Sequence, residues 1–191
     1  MDALKVLLER RSIRKSRAVP VPDEILEEIV QAGLYAPSGL NLQPWYFVVV
    51  RTPEKLMQVR AVMSVVAMRF NPILQQQFHD HPEVITATNN FLVTLGGAPA
   101  CVLVFANKKD DGDRDNVIQS ISAAIQNMQL AAWNRGVGSC WIGAPTHVDC
   151  GGLFEAGFAA GHGEFVAALT LGYPAEDPKA HKRRGGRYTM I

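Results

Sequence analysis

Two basic residues flank a hydroxyl near the N-terminus, in the run Arg10-Arg11-Ser12-Ile13-Arg14. Side chains alternate in an extended segment, so Arg10, Ser12 and Arg14 would lie on one side. Two guanidinium groups and a hydroxyl suit a phosphate monoester, because they offset its charge and donate hydrogen bonds to its oxygens. Basic residues also complement the dipole at a helix C-terminus. The run alone leaves both interpretations open.

A polar loop precedes the first strongly apolar run of the chain. Its sequence is Ala36-Pro37-Ser38-Gly39-Leu40-Asn41-Leu42-Gln43-Pro44-Trp45. The hydroxyl and amide groups of Ser38, Asn41 and Gln43 could match the alternating donors and acceptors along the pyrimidine edge of a flavin. The prolines and Gly39 would restrict the backbone of the loop. A well-built turn before a strand is the alternative interpretation.

Together these two segments resemble the nitroreductase family of FMN enzymes. The family pattern is Arg, basic, Ser, any residue, basic, followed by Pro-Ser-x-x-Asn-x-Gln-Pro-Trp, and this chain matches both parts. The resemblance continues through residues 136–144, where the family has a turn whose backbone amide faces the flavin N5. It ends at Lys182-Arg183-Arg184, which is similar to the family's Lys-x-Arg. It covers nearly the whole chain and is weakest between about residues 60 and 100.

The resemblance implies an FMN site with a phosphate end and a ring end. The residues that it assigns to the phosphate and ribityl chain are Arg10, Ser12, Lys182 and Arg184. Arg14 would reach the N1 and O2 side of the ring, where a fixed cation stabilises the reduced flavin. Arg11 points the other way in an extended run and is still included among the candidate cofactor-binding residues.

Further ring contacts would come from a turn and from a second subunit. The resemblance places Ile142, Gly143 and Ala144 beside N5, with the Gly143 amide as hydrogen-bond donor. Family members build the site across a dimer interface, which implies a homodimer. The residues that the second subunit would supply are Pro37, Ser38, Gly39 and Asn41. Several family members carry Glu where this chain has Gly143, so the preference between NADH and NADPH stays open.

The activity implied by the resemblance is FMN-dependent, ping-pong oxidoreduction. NADH or NADPH would be the transient electron donor, and a nitroaromatic, quinone, enone or flavin would be the small-molecule acceptor. No catalytic side chain is predicted, because the cofactor carries out the bond chemistry. The alternatives are a non-catalytic flavin-binding or storage protein, and a dehalogenating or flavin-fragmenting member of the same family.

Length and composition set limits on these interpretations. The chain has 191 residues, of which 48% are hydrophobic and 19% charged, so a single domain over residues 1–191 is expected. Its 19 basic and 18 acidic residues give a net charge of +1, which does not favour nucleic acid. Three widely spaced cysteines and the lack of a membrane-spanning apolar run predict a cytoplasmic protein with no membrane partner.

Hydrophobic periodicity predicts the elements that position the candidate residues. Helices are expected near residues 2–10, 22–36, 52–69 and 115–133, and strands at 45–50, 101–106 and 166–171. The continuous apolar run at 45–50 is typical of a central strand. Residues 71–88 lack a clear period and are interpreted as a mobile cover over the site.

The helix predicted at residues 115–133 has an apolar stripe that is too wide for packing on one side only. We therefore expect it to be buried nearly all round, in the core and at the dimer interface. The elements together predict an α/β or α+β layered domain. The resemblance implies the α+β form, with a central mixed or antiparallel sheet flanked by helices. An extended C-terminal arm is expected at residues 174–191, and the strand order is not predicted.

Two other motifs suggest chemistry that the rest of the chain does not support. Gly138-Ser139-Cys140-Trp141 resembles the segment around a papain-type nucleophile, but only 51 residues follow Cys140, too few for the His and Asn partners. His79, His81 and the cysteines lack the spacing of known zinc sites, so no metal is predicted.

Overall fold

The computed structural model describes residues 2–107 and 113–191. Its helices are α1 (Ala3–Glu9), α2 (Asp23–Leu34), α3 (Pro53–Gln77), α4 (Pro82–Thr94), α5 (Arg114–Asn134), α6 (Ala144–His147) and α7 (Gly151–Phe158). Its strands are β1 (Trp45–Val50), β2 (Ala100–Asn107), β3 (Gly138–Ile142) and β4 (Gly163–Gly172). Two 3₁₀ turns lie at Gly39–Asn41 and Leu95–Gly97.

The four described strands form one sheet in the order β1-β2-β4-β3, and every neighbouring pair is antiparallel. The register of β2 and β4 shifts between Val104 and Phe105, which marks a bulge in the centre of the sheet. The predicted α+β fold with a central antiparallel sheet flanked by helices is confirmed. Strand β3, which was not predicted as a strand, follows α5 directly.

Helices cover both faces of the sheet. On one face Val102 and Leu169 pack in a cluster with residues of α2 and α5, such as Ile125. On the other face Leu103 packs in a second cluster with residues of α3, α4 and α7, such as Phe154. Burying one such side chain contributes roughly 1.5–3 kcal/mol. The continuous apolar runs of β2 and β4 follow from this burial on two faces.

The prediction of a central strand at residues 45–50 was wrong, because β1 lies at the edge of the described sheet. Phe47 packs with the first cluster and Val48 with the second, so helices do contact both faces of β1. A continuous apolar run shows that both faces of a strand are covered. It does not show whether the strand has a neighbour on each side in the sheet. Val49 is 37% exposed.

Residues 71–77 and 82–88 are helical, with a turn at 78–81, although residues 71–88 show no clear period in the sequence and were interpreted as a mobile cover. Helix α3 continues beyond Arg69 to Gln77, and α4 begins at Pro82. Only Leu74 is buried in the last turns of α3, so this part of the helix has too few apolar residues for a visible period. The side-chain amide of Asn89 in α4 donates to Asn71 Oδ1 in α3 at 2.7 Å and joins the two helices.

Helix α5 has one fully buried face and one partly covered face in the single chain. Ile121, Ile125 and Met128 have no exposed surface. Residues 122, 123, 126, 127, 130 and 131 on the opposite face are half-buried. The predicted core helix is therefore present, and its predicted burial on all sides is not complete within one chain.

The C-terminal segment after β4 crosses the N-terminal segment and then continues on the surface. Ser16 forms an isolated antiparallel bridge with Pro174. Residues 175–191 contain no helix or strand and are mostly exposed. Among the described helices, none combines the length and the apolar composition needed to cross a membrane.

Candidate functional site

The basic segment, residues 10–17, runs beside β3. Ser12 forms an isolated parallel bridge with Ser139, and the Ile13 amide donates to the Ser139 carbonyl at 2.9 Å. Ile13 is buried and contacts Gly138, where a Cβ atom would lie 2.6 Å from Ile13 Cγ1. Glycine at position 138 therefore allows the basic segment to approach the sheet. The contacts fix the segment on both sides of Ser12.

Arg10 has a buried guanidinium nitrogen without a partner. Its Nη1 atom makes no hydrogen bond with any described residue. The pKa of Arg10 is lowered, first because burial desolvates the charge and then because Arg11 and Arg183 are positive. A partly buried cation that lacks a counterion is costly unless an anion compensates it. This arrangement is suited to the binding of an anion.

Arg11 is directed towards the end of the first helix. Its Nη1 atom donates to the carbonyl of Leu8 at 2.8 Å and to that of Arg10 at 2.8 Å. These are carbonyls at the C-terminus of α1, where a cation is favourable. The two interpretations of the basic run thus apply to different residues: Arg11 satisfies the helix end, and Arg10 is left without a partner. A role of Arg11 in cofactor binding stays a prediction.

The C-terminal segment holds the basic segment from the other side. The Arg17 amide donates to the Tyr173 carbonyl at 2.8 Å, and the Ala175 amide donates to the Lys15 carbonyl at 2.9 Å. Glu176 Oε1 accepts hydrogen bonds from the amides of Arg14 and Lys15. The tail therefore closes over residues 14–17 before it reaches the basic residues 182–184.

Several charged groups lie near the thiol of Cys140 in β3 and affect its pKa. The thiol is 3% exposed, and burial raises its pKa, with smaller opposing effects from Arg14 and Arg10 and a further upward effect from Glu176. Arg10, Arg14 and Glu176 therefore lie close enough to the same thiol to affect its charge. A thiol with a raised pKa is a poor nucleophile at neutral pH. This is a further argument against the papain-like interpretation of residues 138–141.

The loop at residues 36–44 is held by its own polar groups and by α5. Ser38 Oγ accepts a hydrogen bond from the Gln43 amide at 3.0 Å, and Asn41 Oδ1 accepts one from Gln43 Nε2 at 3.0 Å. The Gly39 amide donates to Ser120 Oγ in α5 at 3.3 Å. Leu40, Asn41 and Gln43 all have positive φ angles, near 50°. The loop is a compact, constrained turn.

Within the single chain, no hydrogen bond or ion pair among the described residues joins the loop to the basic segment. The hydrogen bonds of the described loop go to the loop itself, to α5 and, through Pro44, to Asn107. Leu40 is 95% exposed and Tyr35, just before the loop, is 85% exposed. The predicted residues Ser38 and Asn41 therefore lie in a loop with large exposed apolar side chains, and no described polar contact brings this loop to Arg10 of the same chain.

The turn after β3 is open at its glycine. Ile142 is buried and Ala144 is half-buried, and Gly143 between them is the N-cap of α6. The Gly143 carbonyl accepts from the amide of Thr146 at 3.1 Å and from its hydroxyl at 2.8 Å. A Cβ atom at Gly143 would meet no atom within 4 Å. There is room beside this turn for a side chain or a ligand.

The sequence from residue 7 to residue 173 matches the model of the nitroreductase family. The chain belongs to the nitroreductase family. Among its relatives is the NADH dehydrogenase of Thermus thermophilus, which is 57% identical over 93% of this chain and 89% of the relative. A more distant relative is the iodotyrosine deiodinase of Nematostella vectensis, 26% identical over 91% of this chain and 67% of the relative.

A solved structure of the family has the same arrangement. The FMN-dependent nitroreductase from Clostridium difficile superposes with a TM-score of 0.69, and the two chains are 26% identical. The match covers 94% of this chain and 91% of that one. The resemblance found in the two sequence motifs is thus confirmed over the length of the nitroreductase fold.

Two residues that lie beside the basic segment were missed by sequence reasoning. Arg183 lies close enough to Arg10 to lower its pKa, whereas the family pattern pointed only to Lys182 and Arg184. Glu176 lies in a tail of mixed charge, and no pattern marks it as a partner of Arg14 and Lys15. The signal available for Arg183 was its position between Lys182 and Arg184, which the resemblance already assigned to the phosphate end. Nothing in the sequence could have indicated the Glu176 contacts.

The described residues offer no alternative site for a metal ion. No group of three or more His, Cys, Asp or Glu side chains among them could hold one. His79 and His81 each face a neighbouring carboxylate, of Asp80 and Glu83 respectively, in the exposed turn between α3 and α4. The basic segment remains the strongest candidate for ligand binding in the described chain.

Proposed function

We propose that this chain is an FMN-dependent oxidoreductase, with NADH or NADPH as donor and a nitroaromatic, quinone, enone or flavin as acceptor. The observation that carries the proposal is the buried, unpartnered Nη1 of Arg10, close to a second cation, Arg183. Such a pair fits the phosphate of FMN, because two guanidinium groups can offset a doubly charged monoester. The solved relative described as FMN-dependent supports the same cofactor.

The residues divide into two groups according to the end of FMN that they would bind. We assign the phosphate and ribityl chain to Arg10, Ser12, Lys182 and Arg184, with Arg183 as a further cation beside Arg10. Arg11, which donates to carbonyls of α1, would have a weaker role at the same end. We assign the ring to Arg14, Ile142, Gly143 and Ala144, where the exposed Arg14 would supply positive charge. When bound, FMN supplies the acceptance and delivery of hydride. The protein residues orient the cofactor and restrict access of water, so no catalytic side chain is required.

The proposed enzyme is a homodimer with a shared site. The loop residues Pro37, Ser38, Gly39 and Asn41 would contact the cofactor that the other subunit holds. Three leucines of α1, namely Leu4, Leu7 and Leu8, are between 55% and 71% exposed in the single chain. Exposed apolar side chains grouped on one helix favour a subunit interface. The half-buried face of α5 would find its second partner there.

The three cysteines are free and buried, which suits a reducing compartment and the proposed cytoplasmic location. Complete burial raises the pKa of Cys101 to about 12, and burial also raises the pKa of Cys140. These two thiols therefore stay neutral at physiological pH and serve as packing residues.

A single experiment tests the proposed function. Purified protein loaded with FMN is mixed anaerobically with NADH or NADPH, and the loss of the flavin absorption band is followed. We expect bleaching with at least one donor and recovery of the colour when a quinone or a nitroaromatic is added. Fully loaded protein that bleaches with neither donor would instead be a flavin-binding or storage protein.

A dehalogenating activity is a second candidate, favoured by the similarity to the iodotyrosine deiodinase. The FMN-loaded protein can be reduced chemically and then offered iodotyrosine as the acceptor. Release of iodide at a rate comparable to the reduction of a quinone would favour the dehalogenase. Recovery of colour with the quinone alone would favour the nitroreductase-type activity.

A further inference from the structure

The backbone of Arg14 is fixed on two sides by residues distant in sequence. Its amide donates to Glu176 Oε1, and the same oxygen accepts from the Lys15 amide at 3.1 Å. On the carbonyl side, Gly96 approaches so closely that a Cβ atom there would lie 2.1 Å from the Arg14 oxygen. The Ser16 amide donates to the Gly96 carbonyl at 2.8 Å. The freedom that remains to Arg14 lies mainly in its side chain.

The carboxylate of Glu176 accepts hydrogen bonds from the backbone amides of Arg14 and Lys15 and makes no ion pair with the guanidinium group of Arg14. Glu176 and Arg14 both affect the charge on Cys140, so both lie near one thiol. None of the ion pairs among the described residues involves Arg14. Both amides bond to Oε1, so these hydrogen bonds align the carboxylate with the backbone of residues 14 and 15. The exposed guanidinium group of Arg14 is left available.

We propose that Glu176 is a positioning residue, whose carboxylate binds the amides of Arg14 and Lys15 and so presents the Arg14 guanidinium to the flavin ring. The inference rests on the proposed function, because the ring is the ligand that Arg14 would meet. A cation held beside N1 and O2 stabilises the negative charge of the reduced flavin and raises its midpoint potential. Glu176 would act on that potential through Arg14 alone.

The test compares FMN-loaded Glu176→Ala, Glu176→Gln and Asp177→Ala with the unmodified protein. Asp177 is the matched control, since it is the next acidic residue along the chain and is exposed. We expect Glu176→Ala to weaken FMN binding roughly tenfold, as expected for the loss of charge-assisted hydrogen bonds. Its midpoint potential should fall. Glu176→Gln retains an oxygen acceptor and should keep the potential from falling, and Asp177→Ala should change neither quantity.

A second pair of variants separates positioning from a purely structural role. In protein that already carries Arg14→Gln, adding Glu176→Ala should cause no further fall in midpoint potential, because the group that it positions is gone. An equal fall in both backgrounds would overturn the proposal. So would a Glu176→Ala variant that unfolds at a lower temperature yet keeps the original potential.

The outcomes also separate this inference from the function on which it rests. If the unmodified protein binds FMN and is bleached by NADH or NADPH while Glu176→Ala keeps its potential, only the role of Glu176 fails. If the unmodified protein does not bind FMN, the proposed function fails and the role of Glu176 fails with it.

Discussion

The basic segment at residues 10–17 and the loop at residues 36–44 use their polar groups in opposite ways. In the segment, β3 and the tail satisfy backbone amides, while Arg10 Nη1 has no partner among the described residues. In the loop, the polar side chains of Ser38 and Asn41 accept hydrogen bonds from Gln43, while Leu40 is exposed. The segment offers an unpartnered cation that is suited to an anion, and the loop is a constrained turn with an exposed leucine. This difference supports the proposal that each chain carries two complementary halves of a site.

The largest effect is expected at the phosphate end of the basic segment. Arg10→Ala combined with Arg184→Ala should weaken FMN binding roughly 100-fold or more, because two charge-assisted contacts are lost. The purified variant should be folded and nearly colourless. The measurement is the FMN content after gel filtration, together with a fluorescence titration of the apoprotein. Stoichiometric FMN at the original affinity would show that the phosphate is bound elsewhere.

Arg11 is the matched control for that experiment, since it is the adjacent arginine and its side chain donates to carbonyls of α1. Arg11→Ala should lower the stability of the apoprotein by about 1 kcal/mol and change FMN affinity less than Arg10→Ala. Arg10→Met should have the reverse effect on the apoprotein, whose melting temperature should stay the same or rise when a buried, unpartnered cation is removed. If Arg10→Ala and Arg11→Ala weakened FMN binding equally, the separate roles proposed for the two arginines would be wrong.

A complementation experiment tests whether the loop serves the site of another subunit. One variant carries Arg10→Ala and Arg184→Ala, and the other carries Ser38→Ala and Asn41→Ala in the loop. Each should have little activity alone. Random mixing of the two variants should restore about one quarter of all sites, because half of the dimers are mixed and each mixed dimer has one intact site out of two. Co-expression with two affinity tags isolates the mixed dimers for the assay.

A site built entirely within one chain gives a different result. The mixture would then never exceed the average activity of the two parent variants. Gel filtration of each parent must show the same oligomeric state as the unmodified protein. A monomer that keeps full activity would contradict both the shared site and the complementary roles of the two regions.

The sequence predicted some parts of the molecule well, and the reason differs between the two regions. Local patterns were sufficient for strands β2 and β4, since their apolar runs record burial on both faces. The edge position of β1 and the helices at residues 71–94 depend on neighbours that are distant in sequence. The same holds for the site: the motif at Arg10 is local, whereas the contacts of Glu176 with Arg14 span 162 residues. The contacts that Glu176 in the tail makes with the basic segment could therefore be found only in the three-dimensional structure.

A smaller effect is expected at the turn beside the proposed ring. Gly143→Glu introduces the residue that several family members carry there, at a φ of −98° that any residue adopts. Since a Cβ atom meets nothing within 4 Å, stability should change by less than about 0.5 kcal/mol. FMN should be retained, and the ratio of kcat/KM for NADH and NADPH should change. Loss of FMN in a folded variant would show that the turn lies closer to the ring than an open glycine allows.

The smallest effect on the cofactor is expected from Cys140, which lies under the basic segment without donating to it. Burial raises the pKa of this thiol, so at a given pH its thiolate fraction, and with it the rate of alkylation, is lower than for a free cysteine. That rate should increase with pH only above the range in which free cysteine reacts. Because Arg14 lowers this pKa, Arg14→Gln should slow the alkylation further, whereas Cys140→Ala should leave FMN affinity unchanged. Rapid labelling of Cys140 at neutral pH would mean that the basic segment opens away from β3. The basic segment would then not be held in place, and it would no longer differ from the exposed loop in this respect.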